Sequence, residues 1–168
     1  MTFQAQNLIY MNEQQVGFAG IDGKGLYTPS DFGIKTRSAS SGCWRGYIMH
    51  YEIKNDEIYM LGFWVRTKNG VNPPEINGVA PKPLTKGYDP DGLHGLGFTH
   101  EYKNVNLKLP FTGTIWLLRN LNSASYVPIE PSDFEFFGIR IPPVIFDTKF
   151  EFQEGTIINI EESQERTI

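Results

Sequence analysis

The stretch CWRGYIMHYEIKNDEIYMLGFWV, residues 43–65, constrains the fold more than any other part of the chain. Two runs rich in Tyr, Ile, Met and Trp flank Asn55-Asp56, and such a pair suits a two-residue turn because Asn and Asp tolerate the positive φ needed at both central positions. The pattern predicts a β-hairpin. With Asn55 and Asp56 as the loop, Lys54 faces Glu57, Ile53 faces Ile58, Tyr51 faces Met60 and Tyr47 faces Trp64, so one face is apolar along its length. The other face sets Ile48, His50 and Glu52 against Phe63, Leu61 and Tyr59 and is expected to be covered as well. Rings spent in this way build sheets, and 12 Phe with 8 Tyr extend the same bias over the whole chain.

A second hairpin is expected in VIFDTKFEFQEGTIINIEE, where Val144, Phe146, Phe150 and Phe152 alternate with Asp147, Lys149 and Glu151. A three-residue loop Gln153-Glu154-Gly155 would set Phe150 against Ile158 and bury Ile158 and Ile160. A two-residue loop Glu154-Gly155 would set Phe150 against Asn159. The first register is preferred because it keeps isoleucines inward. Val105, Leu107 and Leu109 alternate before Pro110, and Thr114 to Arg119 supplies another strand. QNLIYMNEQQVGFAG reads as a further strand pair turning near Asn12-Glu13. The tetrapeptide Pro-Ser-Asp-Phe, at Pro29 to Phe32 and again at Pro131 to Phe134, opens a short helical turn with Ser or Asp as its cap.

These elements predict an all-β, mainly antiparallel domain over residues 1–168: a meander, barrel-like fold or sandwich with one or two short helical turns. Its 168 residues suffice for a single core. Residues 67–101 form a long Pro/Gly-rich loop, a length that marks a connection as mobile or functional. The tail, 162–168, is expected to fray.

Charge and composition exclude several classes of function. A net charge of −4, with no run of Lys and Arg, argues against nucleic acid as a partner. No apolar segment approaches the roughly 20 residues that span a bilayer, so no membrane partner is expected. A single cysteine, Cys43, and an N-terminus without a basic, apolar leader point to the cytoplasm.

No complete catalytic constellation stands out, and no cofactor or metal is implied. Asp89, Asp91, His94 and His100, with Glu101, are the one cluster of oxygen and imidazole groups, and they define the enzyme alternative, a metal-assisted or acid-base hydrolase. The spacing matches neither a calcium loop nor a zinc helix, and Asp side chains capping a Gly-rich turn is the weightier reading. Cys43 and His50 lie about 23 Å apart along one strand and cannot form a nucleophile and base pair. Cys43 reads as a buried thiol.

The hairpin register that sets Tyr47 against Trp64 also sets Arg45 against Arg66. Like charges directly opposite are unfavourable unless they lie in water or share an anion. Their stems can cover the end of the core while the heads reach solvent, or they can form an anion-binding rim with Trp44 beside them. Arg45, Arg66 and Trp44 are therefore the candidate recognition residues, and no catalytic residue is assigned.

Trp44 to Leu61, WRGYIMHYEIKNDEIYML, resembles a hairpin of small uncharacterised bacterial β-rich proteins, in which Trp-Arg-Gly-Tyr leads to a Tyr-Glu-Ile strand, a polar turn and a hydrophobic return strand. PFTGTIWLL, Pro110 to Leu118, extends the similarity to a second strand. The resemblance implies a stand-alone cytoplasmic domain of interaction or immunity-like type and brings no activity or cofactor. The expected function is a non-catalytic binding or protein-interaction domain, with a protein or a small anionic ligand as partner and an oligomeric state left open.

Overall fold

A computed structural model describes residues 5–85, 87, 92–119 and 146–163. The fold is mostly β, as the ring-rich composition requires. Among the described residues there are ten strands: β1 (Leu8–Met11), β2 (Gln14–Lys24), β3 (Tyr47–Lys54), β4 (Glu57–Val65), β5 (Lys82–Pro83), β6 (His100–Tyr102), β7 (Leu107–Lys108), β8 (Thr112–Leu118), β9 (Thr148–Gln153) and β10 (Thr156–Glu162). They hydrogen-bond in the order β10-β9-β8-β2-β1-β3-β4-β6-β5, and β10 also pairs with β4. Of the three expected architectures, the pairing thus gives a closed seven-stranded barrel with extra strands, mixed rather than purely antiparallel. The described residues cluster into two compact units: those within 5–7, 27–51 and 60–107 in one, and those within 8–26, 52–59, 108–119 and 146–163 in the other.

In the second unit, local turn chemistry sets the strand pairing. Asn12 and Glu13 both adopt positive φ, and β1 and β2 pair across them from Met11 opposite Gln14. Asn55 and Asp56 do the same between β3 and β4. The turn between β9 and β10 corrects the sequence reading. It has two residues, Glu154 and Gly155, both at positive φ, with Gln153 opposite Thr156. The register then shifts between Ile157 and Asn159, so Phe150 faces Ile160. A β-bulge inserts one extra residue into a strand, which neither of the simple loops considered from sequence contained. Ile158 and Ile160, expected inside, are 61% and 52% exposed.

Gly155 explains why the shorter turn wins. Its N–H bonds Phe111 O and its carbonyl accepts the Ile58 N–H. A Cβ at this position would lie 2.0 Å from Leu109 O. Only a glycine at this φ lets the turn approach so closely. Phe150 and Phe152 are buried beside Phe111, while Phe146 packs against a cluster of Ala19, Trp116 and Leu118. Val144 and the second Pro-Ser-Asp-Phe lie outside the described residues.

In the first unit, the Pro29–Phe32 turn is a single 3-10 turn capped by Thr28 rather than by Ser30. Asp31 reaches back, its carboxylate accepting the Thr28 N–H at 2.8 Å, because an acid three residues into a turn can satisfy an orphan donor at its start. A stack of rings fills this core. Tyr27 meets Phe32 edge-on, Phe32 stacks on Phe63 at 6.4 Å, and Phe63 stacks on Tyr102 at 4.4 Å.

The outer end of the central hairpin departs from the predicted register. Burial along β4 alternates through Ile58 and Met60, then changes phase at Gly62–Phe63, so Phe63 and Val65 are buried and Trp64 is half-exposed. The Trp64 indole meets the His50 ring at 4.5 Å, edge to face. It therefore shares the face of His50 and not that of Tyr47. Gly62 accounts for the slip: a Cβ there would lie 2.1 Å from Tyr102 O, in the strand that pairs with β4. A glycine inside a strand marks such close approaches and bulges.

Candidate functional site

The phase change separates the two arginines that sequence placed together. The Arg45 guanidinium lies over the Tyr47 ring at 5.2 Å and donates from Nη2 to Asn7 Oδ1 at 3.1 Å. Asn7 is buried, and the same oxygen accepts the Met49 N–H. Arg45 is thus committed to internal partners. Arg66 follows the phase of Trp64 on the other face, which removes the geometric basis for an Arg45–Arg66 clamp. Trp44 is 60% exposed, two residues before Gly46.

Arg66 instead joins three other cations. Its N–H bonds Gly46 O and its carbonyl accepts the Arg37 N–H, while Lys68 N–H bonds Lys35 O. Thr36 and Thr67 are direct antiparallel partners between these bonds. Alternation then sends Ile34, Thr36, Val65 and Thr67 to one face and Lys35, Arg37, Arg66 and Lys68 to the other. Burial agrees: Ile34, Val65 and Thr67 are buried, whereas Lys35, Arg37 and Lys68 are exposed and Arg66 is half-buried. Lys35 faces Lys68, and Arg37 faces Arg66. Among the described residues, none of these four has an acidic partner. Gly46 makes the arrangement possible, since a Cβ there would lie 2.0 Å from Arg37 O.

At the lysine end lies a half-open cavity of about 320 Å³, lined by residues that include Ile34, Lys35, Lys68, Val71, Asn72 and Pro74. Its wall is tied to the core: Tyr102 Oη donates to Pro74 O at 2.6 Å. Burial raises the Tyr102 pKa, so the phenol keeps the proton it donates. Behind Asn72 runs a polar chain. His100 Nε2 lies 3.1 Å from Asn72 Oδ1, and His100 Nδ1 lies 2.9 Å from Thr99 Oγ1. Thr99 Oγ1 in turn accepts the Thr67 N–H. His100 is 4% exposed, and desolvation lowers its pKa. A neutral ring with its proton on Nε2 donates to the Asn72 oxygen, while the Thr99 hydroxyl proton is shared between His100 Nδ1 and Val65 O, 3.3 Å away.

Half of the enzyme alternative falls on residues that are not described. Asp89 and Asp91 lie outside the described residues. Among the described residues, no three His, Cys, Asp or Glu side chains gather where a metal could sit. Glu101 accepts the Trp64 indole N–H at 2.9 Å and pairs with Lys103 at 3.5 Å. Cys43 is buried, its thiol 3.5 Å from Tyr47 O. No helix among the described residues is long and apolar enough to cross a membrane.

His50 carries the strongest histidine perturbation. Its Nε2 is buried without a hydrogen-bond partner among the described residues, and desolvation lowers its pKa to about 4. The unfolded chain protonates this ring below its ordinary 6.5, while the folded chain keeps it neutral. Between those values the unfolded state binds more protons, so stability is lost as pH falls, by about 2 kcal/mol from this ring at pH 5. The loss stops growing below about pH 4. His50→Leu is expected to flatten this part of a urea-derived stability curve, and identical slopes in the two proteins would exclude the ring as its source.

In the long loop, the sequence offers a chemical role only to the distal half, Asp89 to His100, as the enzyme alternative. The cavity uses its first residues, 67–74. The signal was the pairing of Lys35-Thr-Arg37 with Arg66-Thr-Lys68, two basic tripeptides with the same alternation.

No family model matches the chain, and no curated protein or solved structure matches it.

Proposed function

We propose that the chain is a non-catalytic binding domain that takes an anionic partner on the face formed by Lys35, Arg37, Arg66 and Lys68. The observation that carries this reading is the pair of like-charged oppositions, Lys35 with Lys68 and Arg37 with Arg66, in a chain of net charge −4. Like charges directly opposite on a sheet are destabilising, so four together, none neutralised by a described acid, favour a carboxylate or phosphate brought from outside. Arg66 and Trp44 stay in the recognition surface, and Arg45 supports it from within. A cytoplasmic, immunity-like role belongs to the same proposal and rests on the resemblance of the Trp44–Leu61 hairpin.

Neutralising Arg37 and Arg66 together with Met is expected to leave stability unchanged or raise it by about 0.5 kcal/mol through relief of repulsion. The same change weakens an anionic complex by roughly 2 kcal/mol or more if the contacts are desolvated. Thermal melts with increasing phosphate provide the measurement, since a bound anion stabilises as the logarithm of its concentration above its dissociation constant. A melting shift as large in the double variant as in the wild type would refute the site.

A further inference from the structure

The cavity beside the lysines narrows the class of ligand, an inference that rests on the anion-binding reading above. We propose that it holds a small organic anion, a carboxylate or phosphate monoester, with its charged group between Lys35 and Lys68 and its apolar body inside. Volume limits the size. About 320 Å³ lies at the lower end of small-molecule sites, enough for one ring and its charged substituent but not for a nucleotide-sized ligand.

The lining sets the chemistry. Ile34, Val71, Pro73 and Pro74 offer apolar surface. Lys35 and Lys68 offer only donors. Asn72 would ordinarily offer both a donor and an acceptor, but its oxygen is taken by His100. With that oxygen turned to the ring, Nε2 is the nitrogen that donates, and Nδ1 lies 2.9 Å from Thr99 Oγ1. The amide nitrogen of Asn72, which has no partner among the described residues, is what remains for the cavity. Thr67 and Asn69 also line it, and the two ammonium groups over an apolar floor favour a negatively charged head group on an apolar body.

Calorimetric titration at low ionic strength with phenyl phosphate, inorganic phosphate and polyglutamate tests the assignment, using the wild type, Asn72→Asp, Lys68→Met and the Arg37→Met, Arg66→Met double variant. Thermal melts establish that each variant folds. Phenyl phosphate is expected to bind at least tenfold more tightly than inorganic phosphate, because only its ring gains the cavity. Asn72→Asp, which puts a carboxylate where the amide donor stood, is expected to reduce that affinity at least tenfold, and Lys68→Met several-fold. Equal affinities for the two phosphates overturn the cavity assignment and leave the anion-binding face standing. Binding of polyglutamate alone, lost in the arginine double variant, has the same meaning. If none of the three probes binds, both readings fall.

Discussion

Phe63→Ala is expected to destabilise the protein by about 3–5 kcal/mol, the cost of truncating a buried aromatic. Phe63 is fully buried, and its ring is held between Phe32 and Tyr102. Removing it takes a stacking partner from both neighbours and opens a void that β6 cannot close, because Gly62 already brings that strand to its closest approach. Tyr102 also carries the hydrogen bond that fixes the cavity wall at Pro74, so a folded variant should bind organic anions more weakly. Urea unfolding gives the first effect. A loss near 1 kcal/mol would mean the stack carries little of the core.

Gly155→Val is expected to cost about 4 kcal/mol or more. Two penalties combine: a β-branched residue at φ 82° is a conformational outlier, and its Cβ meets Leu109 O at 2.0 Å. Glu154→Asn, one residue earlier at φ 49°, should be neutral or stabilising because Asn suits that conformation. Similar melting temperatures for the two variants would show that the turn is not clamped as described.

The all-β class and most strands were legible because alternation and turn chemistry are local. Asn12-Glu13 and Asn55-Asp56 turn where their side chains allow positive φ. The errors came from contacts that no local pattern encodes. The slip at Gly62 depends on the carbonyl of Tyr102, forty residues away, and the bulge after Ile157 depends on how β9 is held by β8. A glycine in the middle of YMLGFWV was the visible warning that parity would not persist. The same slip sets Arg66 apart from Arg45, and backbone pairing places it beside Arg37. The cavity was illegible for a further reason: its walls come from residues 33–35 and 67–74, joined only by backbone pairing across the Thr36–Thr67 bridge.

The pairing of Thr156 with Glu57 has a kinetic consequence. These residues are about a hundred positions apart, and contacts of such separation require loop-closure entropy to be spent before any bond forms. The hairpins around Asn12, Asn55 and Glu154 can form early and independently. Closure between the first and last of the seven strands must wait for all of them, so folding should take milliseconds to seconds rather than microseconds. Until then the β4 and β10 edges are open to other chains, and Gly155, whose backbone joins Phe111 to Ile58 in the final state, acts as the latch that ends that exposure.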